Sequence, residues 1–232
     1  MGHSPSRAKR IFLFLPIILI FLLSFLHSPF ALTLDDVIDR LQATYHGIKD
    51  LSGTFHQVST LKSIGQSQEA WGLVYIKKPG KMRWEYKGHE ARLVVTDGHT
   101  LWVYSPDSRQ AIVQEVSEAF SSELPLIFLA GKGNLRADFE IRFTTRKGKS
   151  KEGAYLLDLS PKRPDATLGK VSLEVNPVTF LVEKATIYDV YTNTTVISFQ
   201  DQRMNAGLED SKFIFNIPPG VDVLEYRPMP SR

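Results

Sequence analysis

Residues 71–104 read WGLVYIKKPGKMRWEYKGHEARLVVTDGHTLWVY, and this block sets the architecture of the chain. Apolar runs at 71–76, 82–86, 93–95 and 101–104 are short and rich in β-branched and aromatic residues. Lys78-Pro79-Gly80, Lys87-Gly88 and Asp97-Gly98 separate them. Runs of that composition between turn-forming residues predict antiparallel strands joined by hairpins. Trp71, Leu73 and Tyr75 alternate with Val74 and Ile76, and Leu101 and Val103 with Trp102 and Tyr104, so both faces of these strands are apolar. An antiparallel sheet wetted on one side alternates between apolar and polar residues. Here something apolar must cover both faces, or one face must line an apolar cavity.

Upstream of this block, Thr33 with Asp35 and Asp36 predicts a capped helix start, because acids suit the positive end of the helix dipole. Leu34, Val37, Ile38, Leu41 and Tyr45 then recur at helical spacing up to Gly47. Strands are expected at 51–61, 110–116, 138–145, 153–160, 168–176, 180–188, 194–200 and 212–215, with a polar loop at 63–68 and a surface tail after Pro218-Pro219-Gly220. The segment 119–131, AFSSELPLIFLAG, reads as a short helix or pair of helical turns with no broad polar face, so it must be buried or cover something apolar. The tally is ten or eleven strands and two or three helices: mainly β (α+β), a strongly curved antiparallel sheet with helices on its concave side.

The chain opens with Arg7, Lys9 and Arg10, then an apolar run to Leu26 and a small residue at Ala31. That order predicts a secretory signal peptide over 1–31 and one exported domain over 32–232. Without residues 1–31, 25 basic residues face 25 acidic ones, so no basic field argues for nucleic acid. There is no cysteine, hence no disulfide, thiol nucleophile or lipid-bearing N-terminal cysteine.

Catalytic and metal motifs are missing from the sequence. His46, His56, His89 and His99 are isolated, with no HExxH and no i, i+4 pair. Gly131-Lys132-Gly133 lacks a P-loop frame, and there is no GxSxG elbow. Nothing in the sequence argues for an enzyme, a cofactor or a metal.

Trp71-Gly72, Lys77-Lys78-Pro79, Met82-Arg83-Trp84-Glu85-Tyr86, Val95-Thr96-Asp97-Gly98 and Leu101-Trp102-Val103-Tyr104 together resemble the LolA family of periplasmic lipoprotein carriers. The resemblance extends to Leu51-Ser52-Gly53-Thr54-Phe55-His56-Gln57, to residues 124–131, and to Phe213-Ile214-Phe215 with Pro218-Pro219-Gly220-Val221. It implies an open half-barrel whose hydrophobic cavity holds acyl chains. The protein would be a soluble monomer in the periplasm, taking acylated lipoproteins from an inner-membrane ABC-type release complex to a LolB-like outer-membrane acceptor. A carrier or sensor of another apolar ligand on the same fold, RseB- or LolB-like, stays open. Candidate lipid-binding residues for cavity and lid are Leu73, Tyr75, Met82, Trp84, Leu93, Val95, Trp102, Phe120, Leu124, Leu126, Ile127 and Leu129. Family members commonly carry arginine before the proline of the strand-loop motif, where it holds the lid through hydrogen bonds toward the helices. This chain has Lys78, the candidate for lid control, which keeps the charge but loses the planar fork of donors.

Overall fold

The structure is a computed structural model and describes residues 1–2, 32–88, 91–116, 134–163, 165 and 167–226. The chain divides into two compact units, Met1–Thr33 and Leu34–Arg232, and every helix and strand described lies in the second. Helix α1 spans Leu34–Gly47. Twelve strands come after it in one open sheet: β1 Asp50–Leu61, β2 Gln66–Lys77, β3 Lys81–Lys87, β4 Arg92–Thr96, β5 Thr100–Ser105, β6 Gln110–Glu115, β7 Phe139–Phe143, β8 Tyr155–Pro161, β9 Leu168–Val175, β10 Val182–Asp189, β11 Thr194–Met204 and β12 Asp222–Glu225. The spatial order is β12-β6-β5-β4-β3-β2-β1-β11-β10-β9-β8-β7. Neighbours pair antiparallel, except that β12 runs parallel to β6.

The register carries one apolar face from β5 across to β8. Val103, Val94, Trp84, Val74 and Gly53 lie opposite one another from β5 to β1. Phe55 faces Phe199, Ala185 faces Ile197 and Leu173, and Leu173 faces Leu157. Helix α1 packs on this face through buried Val37, Ile38, Leu41 and Tyr45. Burial pushes the Tyr45 phenol pKa up, and its oxygen accepts the Val182 amide at 3.0 Å. We call this the helix face and the other the far face.

Gly72 has no room for a side chain. A Cβ there would sit 1.9 Å from the Glu85 carbonyl oxygen and 2.9 Å from the Phe55 ring. Its bareness lets Phe55 lie across β2 and meet Tyr86 edge-on, with ring centroids 4.9 Å apart.

Three stretches depart from the sequence reading. Residues 212–215, expected as a strand, belong to a 3₁₀ turn at Asp210–Phe213 and the extended chain after it, and Phe213 is buried. The last strand among the described residues is β12, within the expected surface tail. Its side chains are exposed, so no burial pattern marks it; the backbone of β6 captures it. In addition, β2 begins at Gln66, inside the expected polar loop, because Ser67 and Gln68 pair with Thr60 and Ser59 of the long β1. Among the described residues no helix is long and apolar enough to cross a membrane.

Candidate functional site

The register splits the candidate residues between the two faces. Met82 and Trp84 lie on the helix face, opposite Ile76 and Val74. Leu73, Tyr75, Leu93, Val95 and Trp102 lie on the far face, where Tyr75 faces Arg83 and Val95 faces both Arg83 and Trp102. Phe120, Leu124, Leu126, Ile127 and Leu129 fall outside the described residues, as does the whole segment 119–131.

The far-face group is covered by the chain's own C-terminal segment. The Asp50 carboxylate accepts the amides of Ala206 (2.7 Å) and Gly207 (3.1 Å), fixing the start of that segment. Asp210 then bridges Lys77 (2.7 Å) and Lys81 (2.9 Å). The Lys212 ammonium sits 4.0 Å over the Tyr75 ring, while its carbonyl accepts from Arg83 Nη1 at 3.1 Å. Phe215 packs on Trp102 and Tyr104, with centroids 5.2 and 5.4 Å apart. A cleft of about 540 Å³ stays open between this strap and the sheet, lined by groups including Arg83, Glu85, Lys212 and Phe215.

The helix face is built differently. Phe55, Trp84, Tyr86 and Phe199 form an aromatic cluster, with Phe55–Trp84 at 4.9 Å and Trp84–Phe199 at 6.0 Å. At the end of the sheet bearing the β1–β2, β3–β4 and β5–β6 turns, the cluster runs into a pocket of about 440 Å³. Its lining combines Tyr86 and Ala70 with Gln57, Ser59, Arg92 and Asp107. That size falls within the range of small-molecule pockets. The Tyr86 hydroxyl donates to Gln57 Oε1 at 3.2 Å, and the Arg92 guanidinium lies 4.4 Å above the Tyr86 ring. The opposite end, under Tyr45, is tight: a hollow of about 10 Å³ among Leu51, Val74, Ile76 and Phe199, room for about one water. The site is a pocket with an aromatic floor and a polar mouth.

Phe55, Gly72, Tyr86 and Phe199 were missed as candidates. The parity of Met82, Trp84 and Tyr86 in β3 marks Tyr86, and through pairing Gly72 and Phe55, as one face. Phe199 arrives from β11, distant in sequence, and no local signal points to it.

Lys78 precedes a cis proline and reaches α1. Its ammonium donates to the carbonyl oxygens of Tyr45 and, at 3.0 Å, of His46 in the last helical turn. A cation on the last carbonyls complements the helix dipole, so Lys78 pins the C-terminal end of α1 to the β2–β3 turn. Partial burial lowers its pKa. The described residues contain no cluster of His, Asp or Glu suited to a metal.

The protein is thus an open, curved, mostly antiparallel sheet with a helix on its apolar face and a pocket beside an aromatic cluster at one end. The chain belongs to the LolA family, outer membrane lipoprotein carrier protein, whose family model matches residues 46–216. It is 35% identical to an outer-membrane lipoprotein carrier protein of Chromobacterium violaceum over 81% of this chain and 86% of that protein. A namesake from Cupriavidus pinatubonensis is 29% identical over 86% of this chain and 91% of its own. Among solved structures, an uncharacterized conserved protein from Thermus thermophilus shares the fold, with TM-score 0.53 at 12% identity over 83% of this chain and 98% of that one.

Proposed function

We propose that this protein is a periplasmic carrier that takes up the acyl chains of lipoproteins on its helix face and delivers them to an outer-membrane acceptor. The observation that carries this reading is an asymmetry within a LolA-family chain. The far-face apolar patch is strapped by the chain itself, whereas the helix face leads from an aromatic cluster to a pocket with a polar mouth. Acyl tails suit the cluster, and the peptide and glycerol parts of a lipoprotein suit the mouth.

Residues 1–31 act as the export signal in this reading, with an inner-membrane ABC-type complex as donor. Lys78 sets how firmly α1 stays down. Burying a methylene is worth about 0.8 kcal/mol, so several fully buried chains would bind too tightly to leave. Apolar contacts that the protein makes with itself when empty offset most of that gain. Handover then needs only an acceptor that binds the chains somewhat better, and no catalytic step.

The test is to add the mature protein to spheroplasts and analyse the soluble fraction by native mass spectrometry. A one-to-one complex with intact lipoprotein is expected. Recovery of free phospholipid alone, or of empty protein beside fully retained lipoproteins, overturns the reading.

A further inference from the structure

Trp84 sits in the middle of the helix face and is 5% exposed, yet its indole Nε1 has no hydrogen-bond partner among the described residues. Its ring is held by Phe55 and Phe199, whose side chains carry no nitrogen or oxygen acceptor. A buried donor left without a partner loses its hydration and gains nothing in return, and native interiors rarely tolerate that. Were Trp84 only a space-filler, phenylalanine or leucine would do the same work without the stranded N–H.

Its position along β3 gives the N–H a use. Tyr86, two residues further on the same face, lines the mouth pocket, so Trp84 lies one pleat, roughly 7 Å, inward from the polar mouth. That depth is where the apolar and polar parts of the site meet. A second stranded atom accompanies it: the side-chain oxygen Oε1 of Gln42 in α1 is also buried without a partner among the described residues. Arg40 stacks on Phe180 and Thr44 bonds to the Thr179 carbonyl, so that flank of α1 faces the β9–β10 turn. At about 100° per residue, Gln42 lies roughly 200° from Arg40 and emerges on the opposite flank.

Building on the carrier reading, we propose that Trp84 Nε1–H donates a hydrogen bond to the carbonyl oxygen of the ester or amide that joins an acyl chain to its head group. The site then reads cargo by the depth of that carbonyl as well as by chain hydrophobicity. A plain hydrocarbon tail leaves the donor stranded, whereas an acyl ester satisfies it. Selectivity against ligands lacking the carbonyl follows from the same unpaired donor.

The test uses the mature protein and two probes that differ only in the carbonyl: 1-palmitoylglycerol, an ester, and 1-hexadecylglycerol, its ether. Wild type is expected to bind the ester about fivefold to tenfold tighter. The indole N–H resonance of Trp84 should move downfield with the ester and not with the ether. Replacing Trp84 by benzothienylalanine, which keeps the ring shape and has sulfur for N–H, should abolish the preference, read as the ratio of ester to ether affinity within that variant. Trp84→Phe should also abolish it. Equal binding of the two probes by wild type, or a preference that survives in the benzothienyl variant, overturns the proposal. Failure to bind either probe removes acyl binding on this face altogether, and the proposal falls with the carrier reading.

Discussion

Strands β2 to β5 show large apolar side chains on both faces, and the two faces are covered in opposite ways. On the far face the cover is the chain's own C-terminal segment, held by specific polar and aromatic contacts. The strap is pinned by Asp50 at its start, by Asp210 between two lysines, and by Phe215 against Trp102 and Tyr104. On the helix face α1 covers one end, while the other keeps an aromatic pocket and a stranded indole donor. The far face of β7–β11 needs no cover, because it is polar. There buried Asp158 receives hydrogen bonds from Ser172 (2.6 Å) and Thr144 (3.0 Å). Burial alone would raise its pKa, but those bonds and nearby Lys170 hold it below the ordinary range. Apolar surface by itself therefore does not mark a binding site. What marks one is apolar surface that the chain does not finish satisfying with its own atoms.

Phe213→Ala puts this contrast under the heaviest strain. Phe213 is 1% exposed at the 3₁₀ turn within the strap, and its truncation should cost about 3–5 kcal/mol in urea unfolding. Early proteolysis after residue 210 should accompany it, while the variant, where folded, binds acyl probes as wild type does. Loss of probe binding in a folded variant would mean that the far face takes part in cargo uptake.

A more modest change is expected of Lys78→Met, which removes the donors to the Tyr45 and His46 carbonyls. Stability should fall by about 1–2 kcal/mol, with faster amide hydrogen exchange confined to the last turns of α1. Unchanged exchange there would detach Lys78 from control of the helix.

Acid should act more gently still. Hydrogen bonds from Lys77 and Lys81 hold the Asp210 carboxyl at about 2, below its ordinary 3.8. A depressed carboxylate stabilises the folded state above its unfolded pKa, and that contribution disappears as pH falls from about 4 through about 2. Strap mobility, followed by Phe215 side-chain resonances, should rise over that window in wild type. In Asp210→Asn it should be raised already at neutral pH and lack the acid step.

Much of the fold was legible in the sequence because it rests on local chemistry. Asp35 and Asp36 in the first turn and a Val37–Ile38–Leu41–Tyr45 stripe make α1. Turn residues at Pro79-Gly80 and Asp97-Gly98 fix the hairpins, and Gly80 and Gly98 both adopt positive φ, which glycine accepts without strain. The strap and β12 escaped because their side chains carry little pattern of their own. Asp222–Glu225 is exposed throughout and becomes a strand only where β6 offers an open edge.

The candidate site was legible by composition and not by side. A strand's alternation tells which residues share a face, and it puts Met82, Trp84 and Tyr86 together. It is silent on which face receives the helix and which the strap, since both alternating sets in β2–β5 are apolar. The amino acids alone specified a hairpin-built sheet, apolar on both sides along one half, in a chain whose motifs resemble LolA. Long-range packing then chose which side receives the strap, with a cleft left beneath it, and which receives α1. That choice depends on where residues 205–226 return and where α1 docks, contacts made across more than a hundred positions of chain that no local pattern encodes.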